Sequence, residues 1–151
     1  MAYVRRLEHV GVVVDDLEAA TEFFLDLGLE REGATAVQGE WVDNIVGLKD
    51  VRADVVMVRT PDGSGKLELA KFHRPTDDQG PQAAAANRLG IRHILFQVEG
   101  LGEIVDKLRS KGFGLVGKVQ DYEGIYRLCY VRGPEGIIVE LAEEIGSAPA
   151  R

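Results

Sequence analysis

Cysteine occurs once in these 151 residues, at Cys129, so no disulfide can form within the chain, and a reducing compartment, the cytoplasm, is expected. No apolar run approaches the roughly 18 residues that a membrane span needs, and "MAYVRRLEHV" carries no signal-peptide core. No membrane partner is expected. Basic clusters are missing as well. The 18 Lys and Arg stand against 25 Asp and Glu, a formal charge of −7, and without clustered cations a nucleic-acid partner is not expected. Histidine is scarce, with only three in the chain, at His9, His73 and His93, so the place of each carries information.

What is present suits one globular domain, since 151 residues can bury a core and 45% of them are apolar. Residues 7–14 alternate and are rich in Val, which predicts a strand. Asp15 with Glu18 three residues on resembles a capping box, Leu17, Ala20, Phe24 and Leu27 form one helical face, and Gly28 supplies the stop. The same grammar returns later. Ile91 to Val98 reads as a strand, Gly100 and Glu103 as a helix start, Leu101, Ile104, Val105 and Leu108 as its apolar face, and Gly112 as its stop.

The two copies also end alike. "RTPDGSGKLELAKF" matches "RGPEGIIVELAEEI", each a strand (Val55–Arg59 in the first), a Pro-acid-Gly turn, then a strand carrying Glu-Leu-Ala. With a further strand after each helix, at about 30–36 and 113–119, each half is βαβββ, and "HRPTDDQGPQAAAANRLG" between them reads as a linker. The expected limits are 5–146 for the whole, with modules 5–72 and 90–146 and a linker 73–89. His93 follows His9 by 84 residues (93 minus 9), whereas Glu140 follows Glu68 by 72 (140 minus 68). The first half therefore carries about a dozen extra residues, assigned to "AVQGEWVDNIVGLKDVRAD" around Trp41.

Repeat units of this length share a surface that neither buries alone. His9, Glu68, His93 and Glu140 hold equivalent places in the two copies. Strand alternation puts His9 with Gly11 and Val13, and His93 with Leu95 and Gln97, on faces opposite the bulky apolar residues. Glu68 lies between Leu67 and Leu69, Glu140 between Val139 and Leu141, so each carboxylate points away from apolar neighbours. A carboxylate on such a strand is costly to bury unless paired, protonated or bound to a cation. Two neutral imidazoles and two carboxylates around a divalent ion form a neutral set, and mixed nitrogen and oxygen donors suit Zn, Ni, Co, Mn or Fe(II).

The duplicated halves, with "EHVGVVVDDLEAATEFFLDLGL", "GKLELAKF", "IRHILFQVEGL" and "RGPEGIIVELAE", resemble the vicinal oxygen chelate superfamily, that of the glyoxalases, bleomycin resistance proteins and extradiol dioxygenases. The resemblance implies an α+β fold in which two βαβββ modules form a pseudo-twofold half-barrel cleft, one divalent metal held by His9, Glu68, His93 and Glu140, and a homodimer. The His, Glu, His, Glu set is similar to that of bacterial glyoxalase I. It implies a small vicinal-oxygen substrate and proton transfer through an enolate or enediolate by a lyase, isomerase or epimerase, with Glu140 or Glu68 as the base. Bacterial glyoxalase I has an arginine four residues after its first ligand histidine and an asparagine four after its first glutamate. Here those places are Val13 and Phe72, so the resemblance does not extend to a glutathione site.

Two other activities occur within the same resemblance. "YVRGPEGIIVE" is close to part of the extradiol dioxygenase signature, but the upstream "QDYEGIY" lacks its histidine. Drug-binding proteins of the bleomycin-resistance kind generally lack the metal ligands, and all four are present here. Trp41 and Tyr126, with Tyr122 and Tyr130, are candidate cleft walls, and Arg127 in "IYRLCYV" is a candidate for orienting an acidic group of the substrate. Cys129 reads as a small packed residue rather than a nucleophile, and His73 as a spare or substrate-contacting residue.

Overall fold

The computed structural model describes residues 1–147. The chain forms two compact units, Met1–Pro81 and a second that begins at Gln82. In the first, strand β1 (Val10–Val13) leads to helix α1 (Leu17–Asp26), then to β2 (Glu30–Gln38), a short helix α2 (Glu40–Val46), β3 (Arg52–Arg59) and β4 (Lys66–Arg74). The second runs β5 (His93–Gln97), α3 (Leu101–Ser110), β6 (Gln120–Tyr122), β7 (Tyr126–Arg132), a 3-10 turn at Pro134–Gly136 and β8 (Ile138–Glu144). Each unit holds one four-stranded mixed sheet, ordered β1-β4-β3-β2 and β5-β8-β7-β6. The order is the same in both. The α+β class and the two similar modules are therefore as the sequence predicts.

Each helix covers one face of its own sheet, α1 against β3 and β4 and α3 against β8. Ala20, Phe23 and Phe24 of α1 are buried, as are Val56, Val58, Leu67 and Leu69 of the strands. In the second unit Leu101, Val105 and Leu108 are buried along with Cys129, Val131, Val139 and Leu141. Both helices stop in the same way. Leu29 N–H reaches Phe24 O at 3.1 Å and Gly28 N–H reaches Leu25 O at 3.0 Å, and Phe113 and Gly112 repeat the pattern on Leu108 and Arg109, both at 3.0 Å. These are Schellman ends, and Gly28 at φ 108° and Gly112 at φ 92° take the left-handed position that they require.

The local expectations shift in four places. Asp16, not Asp15, caps α1, accepting from Ala19 N–H at 3.0 Å, while Asp15 receives Lys71 Nζ on its side chain at 3.1 Å. The strand expected at 113–119 is reduced to one bridge, Leu115 with Val131, and the pairing resumes as β6 at Gln120. Gly114 and Gly117 dilute that stretch with residues that weaken a strand. His73 is not in a linker turn but is the next-to-last residue of β4. Arg52 to Asp54 belong to β3, so the insertion in the first unit amounts to α2 and its flanking turns.

Candidate metal centre

β1 runs parallel to β4 with Gly11 beside Glu68, and β5 runs parallel to β8 with Leu95 beside Glu140. His9 is two residues before Gly11 and His93 two before Leu95, so each histidine stands in one register position relative to its glutamate. Leu67 and Leu69 are buried while Glu68 is half-buried, and Val139 and Leu141 are buried around a half-buried Glu140. The alternation thus turns each carboxylate to the face opposite the helix.

That register brings the side chains together in pairs. His9 Nε2 is 3.6 Å from Glu68 Oε2, and His93 Nε2 is 3.2 Å from Glu140 Oε2. In both pairs Nε2 is the nitrogen turned to the carboxylate, and Nδ1 has a partner of its own. For His9 it is the Glu8 carboxylate. For His93 it is Tyr130 Oη at 3.4 Å, with the two rings 5.0 Å apart between centroids and tilted by 34°. Tyr130 is the residue of β7 that lies beside Glu140.

The fit of a cation to each pair can be tested on these distances. Imidazole nitrogen and carboxylate oxygen bound at about 2.0–2.2 Å to one ion stand about 3–3.5 Å from each other. The spacings of 3.2 and 3.6 Å lie at and just beyond that range. Within each unit the donors number two, and among the described residues no cluster of three or more His, Cys, Asp or Glu that could hold an ion is present.

The electrostatics nearby are specific. The Glu8 carboxyl is held below its ordinary value by its hydrogen bond to His9, with the charges of Lys66 and Arg6 acting the same way. Burial pushes the Cys129 thiol up, the charge of Glu140 adds to this, and the side chain is 4% exposed. A protonated, enclosed thiol agrees with a packing role.

The remaining sequence candidates divide. Tyr126 falls on the Tyr130 face of β7 and is exposed, and Trp41 is exposed on α2. Arg127 alternates to the other face, with Cys129 and Val131, where Asp121 Oδ1 takes its Nε at 2.9 Å. Arg127 is thus not brought to the His93–Glu140 pair. His73 Nε2 meets Asp54 Oδ2 at 2.7 Å, also on the helix side of its sheet. Val13 and Phe72, at the two places that depart from the bacterial glyoxalase I pattern, are exposed and half-buried.

Sequence reasoning missed Glu8, although it adjoins His9, and Lys66, whose alternation with Glu68 was visible in "GKLEL". It also missed Tyr130 as the partner of His93, which only the β7–β8 register reveals.

Comparison with known proteins agrees with this architecture. The model of the Glyoxalase/Bleomycin resistance protein/Dioxygenase superfamily matches residues 6–141, and the chain belongs to that superfamily. A glyoxalase family protein from Bacillus cereus is 41% identical, with a TM-score of 0.90 over 96% of this chain and 97% of that one. Trypanothione-dependent glyoxalase I from Leishmania major is 22% identical, with a TM-score of 0.65 over 93% of this chain and 88% of that one. A mutant of the fosfomycin resistance protein FosX from Listeria monocytogenes, in complex with Mn(II) and 1S,2S-dihydroxypropylphosphonic acid, is 13% identical. Its TM-score is 0.58 over 96% of this chain and 93% of that one. The last two likenesses concern the fold alone. No curated protein matches the chain.

Proposed function

We propose that this protein is a metal-dependent enzyme of the glyoxalase type, in which His9, Glu68, His93 and Glu140 hold one divalent ion. The domain is taken as 5–146, and its working state as a cytoplasmic homodimer acting on a small molecule with vicinal oxygens. The observation that carries the reading is the repeated pair: one His and one Glu per unit, in the same register, with Nε2 to Oε2 at 3.6 and 3.2 Å. Zn, Ni, Co, Mn and Fe(II) all accept such donors, and the FosX mutant, which is similar in fold, is complexed with Mn(II).

A bound divalent ion supplies Lewis acidity, which makes the hydrogen on the carbon next to a chelating carbonyl easier to remove. The chain does the rest. Glu140 or Glu68 takes that proton on a carboxylate oxygen and returns it to the neighbouring carbon in a glyoxalase-like lyase or isomerase, or to the other face of the same carbon in an epimerase. Tyr130 keeps the His93 ring turned so that Nε2 faces Glu140. The exposed rings of Trp41 and Tyr126 serve as walls for the substrate body. Arg127, engaged by Asp121, has the lesser claim to an acidic substrate group.

The test is deuterium uptake. The metal-loaded protein is offered a hemithioacetal of an α-ketoaldehyde, a 2-oxoacyl thioester or a catechol in D2O. Exchange or isomerisation at the carbon beside the carbonyl, lost in Glu140→Gln or Glu68→Gln, is the expected result. Oxygen consumption with ring opening of the catechol would replace proton transfer with dioxygenase chemistry.

A further inference from the structure

We propose that Glu8 is a positioning residue for His9: it accepts the Nδ1–H of the imidazole and so leaves the Nε2 lone pair free for a cation. The proposal rests on the metal reading above for its purpose, but not for its geometry. The carboxylate of Glu8 meets Nδ1, and Nε2 lies 3.6 Å from Glu68 Oε2, beyond hydrogen-bond reach. A neutral ring carries one proton, and the only nitrogen with an acceptor in bonding range is Nδ1. A carboxylate on the far nitrogen of a ligating histidine fixes both tautomer and ring orientation.

Glu8 is itself held. Lys66 Nζ lies 3.6 Å from Glu8 Oε1 and 3.2 Å from Glu32 Oε1. Glu32 can reach Lys66 because it is the extra residue of a β-bulge: Arg31 pairs with Val58 and Gly33 with Met57, leaving Glu32 unpaired and its side chain re-aimed. The bulge, Glu32, Lys66, Glu8, His9 and Glu68 therefore form one connected series within the first unit. In the second unit His93 Nδ1 meets a neutral group instead, the Tyr130 hydroxyl at 3.4 Å, while Nε2 lies 3.2 Å from Glu140 Oε2. The two halves are alike in ligands and different in what orients them, with the charged support confined to His9.

The experiment uses the full chain labelled with 15N-histidine and reads the His9 tautomer by long-range 1H–15N correlation in the metal-free protein, at a pH where the ring carries one proton. Loss of signals in His9→Ala assigns them. Zn and Mn affinities are measured in parallel by calorimetry. Expected are an Nδ1–H ring in the wild type and a shift to the Nε2–H form in Glu8→Ala. Metal affinity should fall by about 10–100-fold in Glu8→Ala. Glu8→Asp should recover part of both, and Lys66→Met should lie between. An Nε2–H ring in the wild type, or a Glu8→Ala tautomer equal to the wild type, would overturn the proposal. A chain that binds no metal would end the reading of the site, while the tautomer would still decide the part of Glu8.

Discussion

At the scale of single residues, the two glutamates are the most informative, because each interrupts a strand whose neighbours are buried. Both were visible in the sequence as polar residues within apolar runs, and so were the histidines at equivalent places. What surrounds them was less visible. Glu8 adjoins His9 in the chain, but Lys66 reaches Glu8, and Tyr130 reaches His93, only through the pairing of strands, which no single stretch of sequence reports. Cys129 offers a direct check on the core beside the site. With its thiol pushed up by burial, native protein should react with an aromatic disulfide reagent only as fast as the fold opens, and at once after denaturation. Rapid reaction of the native thiol would contradict the burial. Asp62 provides a pH check. The Thr60 hydroxyl at 2.6 Å and Ser64 N–H at 3.0 Å hold its carboxyl below the ordinary aspartate value. A depressed carboxyl stabilises the β3–β4 turn fully above the ordinary range, and that contribution is lost as pH falls through the lowered value. An NMR titration should find Asp62 below a typical aspartate and moved part of the way back in Thr60→Ala, because the Ser64 hydrogen bonds remain.

At the scale of elements, the helix signals were read well because they are local. Gly28 and Gly112 were recognisable as stops, and both take positive φ in matching Schellman ends. Replacing either by Ala forces a Cβ into that conformation and should cost about 1 kcal/mol. Nothing lies within 4 Å of the added Cβ at either place, so chemical denaturation of Gly28→Ala and Gly112→Ala measures backbone strain without a clash. The cap of α1 was misplaced by one residue, since Asp15 and Asp16 are chemically equal and only the turn decides which faces Ala19 N–H. Asp16→Ala should therefore destabilise by about 1 kcal/mol and Asp15→Ala by clearly less, read from denaturation midpoints. The start of α3 has no side-chain cap of its own, and Glu143 of β8 accepts from Leu101 N–H at 2.5 Å. Lys71 of β4 has the equivalent place in the first unit and binds the carbonyl of Asp15 at 2.5 Å. Such tertiary contacts at a helix start leave no periodic trace. The strand expected at 113–119 was lost for a local reason: Gly114 and Gly117 let the chain leave the sheet after a single bridge.

At the scale of the whole molecule, the duplication accounts for most of what the sequence disclosed. Two sheets of the same order, two helices with the same stop and two His–Glu pairs in the same register follow from one unit used twice. The dozen extra residues of the first half were also placed correctly, although their becoming the helix α2 was not foreseen. The repeat does not determine what differs between the copies: the charged support of His9 against the tyrosine beside His93, and Met57 beside Glu68 where Tyr130 stands beside Glu140.

The central claim is that one residue pair from each unit serves a single ion, and metal stoichiometry tests it most directly. The purified, untagged wild type, His9→Ala, His93→Ala and Glu140→Ala are dialysed with and without added divalent ions and measured by elemental analysis, with circular dichroism to confirm that each variant is folded. The account predicts about one ion per chain in the wild type and loss of that ion in every variant, whichever unit carries the change. An unchanged metal content in His9→Ala or His93→Ala, or no metal in the wild type under any condition, would contradict it and leave a drug-binding role as the better description.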